Sequence, residues 1–319
     1  MVWRNKIVND YNVIIMVTED HLPMMEKMIP FCKQNISPKR IYVVAASKIQ
    51  QKIEAIEDVI FIDEDQVYDG LNYSTVMNLM EKRTGERKRA GWYLQQFLKM
   101  AWSYKCEEKC YIVLDADTFV LNPIGFTEQE KYCFTPKCEY HQPYFDTIKK
   151  LFQGSIYKKA EFSFIAENMI FDCAIMRQMI SEIEGNALIE GDTFFEKIIH
   201  SIKQEDLLGS GFSEFETYGN YIYIKYPDLV KARKLRTMRE SLVLLGGNPS
   251  AGQLKWASND YDIISVESIH YKRTLVTWLT SKEWFRRRIS MKKLAQIRHK
   301  IRTVYRRLLR KEDFVFEEY

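Results

Sequence analysis

Glycine and proline are scarce in this chain of 319 residues, at 13 and 8, below the roughly 7% and 5% of average usage. The shortage excludes a collagen-like fibre and long flexible linkers, and it predicts long regular elements. Six cysteines are too few for a small disulfide scaffold. Cys106 with Cys110, and Cys133 with Cys138, come near zinc-ligand spacing but lack the tight Cys-x-x-Cys knuckle, so they read as packed thiols. No uninterrupted apolar stretch reaches the roughly 18 to 20 residues that span a bilayer. The run VIIMV at 13–17 is too short for the apolar centre of a secretion signal, and no small-residue cleavage site follows it. The protein is therefore expected inside the cell with reduced thiols. Low-complexity segments and internal repeats are also missing. With 46% apolar and 28% charged residues, the chain can bury a large core.

Charge of one sign is concentrated at one end. The net charge is only +4, but residues 281–311 carry a dense run of Lys and Arg against the single acid Glu283. The rest of the chain is mildly acidic. Within that run Leu294, Ile297, Ile301, Val304 and Leu308 recur at spacings of three and four, which draws an apolar stripe along a helix. Lys292, Lys293, Arg298, Lys300, Arg302, Arg306, Arg307, Arg310 and Lys311 occupy the other sides. Such a basic amphipathic helix suits an anionic membrane surface, where each cation contributes about 1 kcal/mol and the stripe adds burial. Trp284 and Phe285 would then lie at headgroup level. The competing expectation is a stripe packed on the body with its cations in water. Confinement of the cations to one terminal helix, without aromatics interleaved across a sheet or groove, argues against nucleic acid.

Apolar runs at 12–17, 40–46 and 59–62 alternate with helix-like segments at 22–34 and 48–56. Val and Ile runs that do not alternate with polar residues are buried on both faces, which predicts a mostly parallel sheet flanked by helices. Helices at 73–82 and 92–104 follow, separated by a charged loop at 84–89. The strand YIVL at 111–114 then ends in Asp115-Ala116-Asp117, and an extended piece leaves over 118–123. Further on, 162–171 reads as extended, and 173–184, 193–203 and 214–226 read as helical, with Pro227 as a stop.

An apolar strand that delivers two carboxylates at i and i+2 presents both at the carboxyl end of a parallel strand, where open α/β sheets bind ligands. Such a pair repels itself unless a cation lies between its members, and hard oxygen ligands favour Mg²⁺ or Mn²⁺. On the preceding helix, Gln95 and Lys99 are i and i+4 and share a face, whereas Gln96 is expected to point elsewhere. Ser213 followed by Glu216 reads as a capping box, which leaves Glu214 without that explanation. Acids in a first helical turn are also favoured by the dipole.

Three blocks resemble GT-A glycosyltransferases, and more narrowly a family of bacterial glycosyltransferase-like proteins of surface polysaccharide biosynthesis. They are GWYLQQFLK from Gly91, YIVLDADTFVLNP from Tyr111 and FSEFETYGN from Phe212, and the resemblance covers about residues 10–275. It implies an α/β GT-A-like (Rossmann-like) domain over 1–280, followed by the basic helical tail over 281–319. It also implies metal-dependent transfer of a sugar from a nucleotide-sugar to a glycan or lipid-linked acceptor, peripherally on the inner face of the plasma membrane. Asp117 and Asp115 would hold Mn²⁺ or Mg²⁺, with His270 as a third ligand and Asp115 also reaching ribose. Thr18, Glu19 and Asp20 would receive base and ribose, although Asp20 could equally cap the helix that follows. Gln95 and Lys99 would face the donor, and Lys272 or Arg273 would steady the departing diphosphate. An inverting transfer needs a base, for which Glu214, Glu167 and Glu216 are the candidates in that order.

Two other classes compete. A phosphohydrolase of the haloacid dehalogenase type also uses Asp-x-Asp, but it wants Thr or Val where Phe119 stands and places the pair on the first strand. A catalytically silent sugar-nucleotide-binding relative would keep the fold without turnover. A nucleotidyltransferase would carry a glycine-rich loop after the first strand, and VTEDHLP has no glycine.

Overall fold

The computed structural model describes residues 10–267 and 274–308. The chain divides into two compact units. Met1–Glu19, Pro38–Asp115 and Gly125–Arg233 form the first, and Asp20–Ser37, Ala116–Ile124 and Lys234–Tyr319 form the second. Among the described residues the strands are β1 (Asn12–Met16), β2 (Ile41–Ala45), β3 (Ile60–Asp63), β4 (Cys110–Leu114), β5 (Thr118–Val120), β6 (Thr127–Glu128), β7 (Lys131–Phe134), β8 (Asn168–Asp172), β9 (Val230–Ala232), β10 (Thr237–Met238) and β11 (Ile263–Ser265).

The first unit is built on a sheet in the order β3-β2-β1-β4-β8. β1 runs parallel to β2 (Val13 opposite Ile41) and to β4 (Asn12 opposite Tyr111), and β2 runs parallel to β3. β8 joins β4 antiparallel, with Leu114 opposite Asn168. Every residue of β1, β4 and β8 is buried, as unalternating apolar runs require. This mixed α/β architecture, a mostly parallel sheet with flanking helices, is the one the sequence predicts.

Two helices cover one face of β4 and bring their polar ends to its carboxyl terminus. Tyr111 Oη donates to the carbonyl of Lys99 at 2.7 Å, which seats the helix Ala90–Ala101 on that face. Across the strands the Tyr111 and Phe171 rings meet at 5.4 Å, and Phe171 packs on Phe215 and Tyr218 of the helix Glu214–Lys225 at 5.9 and 4.7 Å. Local chemistry fixes where these helices start. Asp172, the last residue of β8, accepts from the Ile175 amide at 3.0 Å and starts the helix Cys173–Glu184. Ser213 Oγ accepts from the Glu216 amide at 3.2 Å, the standard N-cap bond.

The expected capping box at Ser213 is half formed, because the Glu216 carboxylate turns inward. It accepts from the Ser163 hydroxyl, from the Phe164 amide at 3.1 Å and from Asn220 Nδ2 at 2.9 Å. That grip also explains why 162–171 is not one strand. The segment around Ser163 is held by Glu216 and by a single bridge to Lys137, and the ladder begins at Asn168. The hairpin of β6 and β7 turns through Gln129 and Glu130, both at positive φ without glycine, which hides it from turn rules built on Gly and Asn. The helix Gln142–Leu151, with Phe145, Ile148 and Leu151 buried at spacings of three, is also absent from the sequence reading.

The second unit holds a sheet in the order β10-β11-β5, with β5 antiparallel to β11. Its helix Leu22–Asn35 packs on β5, Phe31 meeting Phe119 at 5.7 Å and Asn35 Nδ2 donating to the Val120 carbonyl at 2.6 Å. The basic tail is the helix Met291–Leu308. It is anchored at its start by buried Met291, by the Lys292 amide on Asp260 at 3.0 Å and, just before it, by Trp256 Nε1 on the Ile289 carbonyl at 2.9 Å. Beyond that anchor Ile297, Ile301 and Val304 are 40%, 64% and 57% exposed. No described helix is long and apolar enough to cross a membrane.

Candidate functional site

The strand order reverses at β1, which has β2 on one side and β4 on the other. In open α/β sheets the crevice at the carboxyl ends of the strands flanking such a switch point is where ligands bind. Continuing the register of β1 and β4 sets Met16 level with Asp115. Exposed Thr18 and Glu19 lie just past β1. The sequence-derived donor residues of the first unit thus fall at the switch-point edge. Glu19 is partnered there by Lys52 at 2.5 Å, and that hydrogen-bonded cation lowers its carboxyl below the ordinary value. Asp20 belongs to the second unit and is exposed; the residue before the helix Leu22–Asn35 is His21, which makes no side-chain cap bond. Asp20 is therefore not the N-cap.

Asp115 is held by a buried lysine. Lys99 Nζ lies 2.9 Å from Asp115 Oδ1 and 2.9 Å from Glu214 Oε1. The Lys99 and Glu214 side chains are 7% and 5% exposed, while Asp115 is 33% exposed. Burial alone would pull the Lys99 ammonium down, but Asp115 and Glu214 together reverse this and hold it above its ordinary range. Lys99 is therefore spent on two carboxylates and orients Asp115 rather than facing a ligand. The Glu214 carboxylate is likewise committed to Lys99. Gln95, on the same helix, is half-buried.

Gln96 belongs to this cluster, contrary to the expectation that it points away. Its Oε1 accepts from the Glu214 amide at 3.2 Å, so Gln96 and Lys99, at i and i+3, both grip the start of the helix Glu214–Lys225. The i,i+3 relation on the same helix face was the available signal. Glu167 arrives from just before β8, its carbonyl accepting from the Asp115 amide at 3.1 Å. Lys137 lies 3.3 Å from its carboxylate. Lys137 sits in an irregular segment with no periodicity, and no sequence signal marks it. Glu216 does not join this group; its carboxylate, fully buried, is spent on Ser163, Phe164 and Asn220, with Lys158 at 3.9 Å.

Buried polar atoms are normally satisfied, yet Gln96 Nε2, Glu167 Oε2 and Asn168 Nδ2 are buried without a hydrogen-bond partner among the described residues. Two donors and one acceptor are thus buried and unpaired around the end of β4. Asp117, in the second unit, receives the Val266 amide on its carbonyl at 3.0 Å, and the Thr118 hydroxyl lies 3.4 Å from its carboxylate. Among the described residues no group of three or more His, Cys, Asp or Glu forms a metal cage. His270, Lys272 and Arg273 lie outside the described residues.

The chain belongs to the Family of unknown function (DUF6492), whose model matches residues 24–215. No curated protein matches it significantly. Solved structures similar to it include the following two. Mouse xyloside xylosyltransferase 1 in its apo form aligns at 12% identity and a TM-score of 0.44, over 83% of this chain and 100% of that one. The galactosyltransferase LgtC in complex with donor and acceptor sugar analogues aligns at 10% identity and a TM-score of 0.40, over 85% of this chain and 92% of that one.

Proposed function

We propose that the protein is a GT-A-like glycosyltransferase that moves a sugar from a nucleotide-sugar to a glycan or lipid-linked acceptor in bacterial surface polysaccharide synthesis. The observation that carries this reading is the placement of Asp115 at the carboxyl edge of β4, beside the β1 edge bearing Thr18 and Glu19, at the switch point of a mostly parallel sheet. The three sequence blocks support the same class.

Hard carboxylate oxygens suit Mn²⁺ or Mg²⁺. The described residues offer Asp115, already charge-paired with Lys99, and Asp117; a third ligand would have to come from His270. A bound divalent ion would supply Lewis-acid stabilisation of the departing diphosphate. On the protein side, Lys99 and Glu214 orient Asp115. With Glu214 committed to Lys99 and Glu216 to Ser163, Phe164 and Asn220, Glu167 is the remaining candidate base: Lys137 holds one of its oxygens, and the other is buried without a hydrogen-bond partner among the described residues. Work at the cytoplasmic face of a membrane is supported by the exposed Ile297, Ile301 and Val304 on a cationic helix.

A thermal-shift screen of wild type and Asp117→Ala against UDP, GDP, CMP and dTDP sugars, each with and without Mn²⁺, tests the reading. A metal-dependent rise in Tm with one nucleotide class, lost in the variant, is expected. No rise with any of them overturns it. Trapping by beryllofluoride at Asp115 would instead mark a phosphohydrolase.

A further inference from the structure

At the opposite, amino-terminal edge of the central sheet lies a cavity of about 300 Å³, lined by residues that include Asn12, Tyr42, Phe61, Trp102, Lys105 and Cys106. Cys106 is half-buried and sits just before β4, whereas Cys173 is buried at the start of the helix Cys173–Glu184. The antiparallel pairing of Cys110 with Asp172 brings these two distant parts of the chain together. Both sulfurs converge on one atom: Cys106 Sγ lies 3.7 Å and Cys173 Sγ 3.2 Å from the Glu108 carbonyl oxygen.

We infer that Cys106 and Cys173 are a hydroperoxide-responsive thiol pair, Cys106 attacking from the cavity and Cys173 resolving. Nothing in this requires the glycosyl-transfer reading. The thiolate of Cys106 attacks the terminal oxygen of a hydroperoxide, forming an S–O bond and breaking the O–O bond. The alcohol or water departs with a proton, and Cys106 is left as a sulfenic acid. The Cys173 sulfur then attacks Cys106, the S–O bond breaks, and the hydroxide leaves as water with the Cys173 proton. Two thiols are oxidised by two electrons to one disulfide, and the peroxide is reduced.

Electrostatics assigns the roles. The neighbouring Cys173 side chain is the largest influence on Cys106 and lowers its thiol below the ordinary value; burial opposes this, and a backbone hydrogen bond at Glu108 assists it. The same contact raises Cys173. A lowered, reachable thiol beside a resolving cysteine is the arrangement that oxidises selectively. The Glu108 carboxylate, 3.8 Å from Cys106, would disfavour a thiolate, but Lys39 holds it at 2.9 Å and Asn12 also donates to it. The nearest competitor, Cys110, is pushed up to about 12 by burial.

The test treats the full chain, in a Cys138→Ser background that removes the exposed thiol, with a small molar excess of hydrogen peroxide. Thiol titration and peptide mapping are then carried out before and after dithiothreitol. Loss of two thiols, a Cys106–Cys173 cross-linked peptide and full reversal by reductant are expected. Cys173→Ser should leave Cys106 as a dimedone-trappable sulfenic acid, and Cys106→Ser should leave Cys173 reduced; circular dichroism confirms that each variant folds. The inference is overturned if both thiols survive peroxide, if dimedone labels Cys106 in the parent chain without any cross-link, or if the cross-link joins another pair.

Discussion

Lys99 Nζ is bound 2.9 Å from Asp115 Oδ1 by a side chain that is 7% exposed, and the same ammonium holds Glu214 at 2.9 Å. A buried charge of this kind is weak evidence for net stability, but removing one partner strands the others. Lys99→Met should therefore destabilise the fold by about 3 kcal/mol, toward the lower end for broken buried pairs because Asp115 is partly hydrated. Urea unfolding measures the loss. Adding Glu214→Leu should recover part of it, since the stranded buried carboxylate is then gone; simple addition of the two costs would contradict this account.

Gly219 lies within the helix Glu214–Lys225, and the Phe164 ring rests where its Cβ would be. Alanine gains about 1 kcal/mol of helix propensity over glycine, whereas overpacking a tight core costs about 1–3 kcal/mol. Because the atoms met are those of a buried ring, the second effect should win. Gly219→Ala is expected to lower stability by about 1–2 kcal/mol. A rise in Tm would show that Phe164 can move aside.

His200 is depressed below its ordinary value, first by burial and then by the Arg83 and Lys82 cations, with Glu190 opposing. The native state therefore prefers the neutral ring, and the unfolded chain binds the proton more readily. The sign follows: the contribution is present above the unfolded value near 6.5 and is lost as pH falls through the lower folded value. Stability measured from pH 7 to 5 should decline less steeply in His200→Gln than in wild type. Identical slopes would remove His200 from the account.

Ile301 is 64% exposed on the basic helix Met291–Leu308. If that stripe enters an anionic bilayer, Ile301→Asp forfeits the burial of one large apolar side chain, about 1.5–3 kcal/mol. That corresponds to about tenfold or more in partitioning onto vesicles, since 1.4 kcal/mol is a factor of ten. Co-sedimentation with phosphatidylglycerol-containing vesicles should show the loss, and binding should fall with added salt. Equal binding of wild type and variant would assign the helix another partner.

Much of the fold is legible in the chain because its signals are local. The unalternating runs of β1, β2 and β4 announce strands buried on both faces, and Ser213 announces a helix start through a bond made within three residues. The stripe Ile297, Ile301 and Val304 follows from helical spacing alone. Gln129 and Glu130 show where this stops, since their positive φ is imposed by the surrounding hairpin and not by their own preference.

The alternation of strands and helices, the carboxylates that follow β4 and the segregation of cations into the tail are written in the chain alone, because each depends on neighbours a few residues apart. Packing in three dimensions sets which partners those groups take: Lys99 for Asp115 and Glu214, Lys137 for Glu167, and Ser163 and Phe164 for Glu216. These pairings join residues far apart in the chain, and one-dimensional periodicity carries no information about them. They are selected by the cost of burying a charge or a polar group without a partner, a quantity that exists only once the chain has packed.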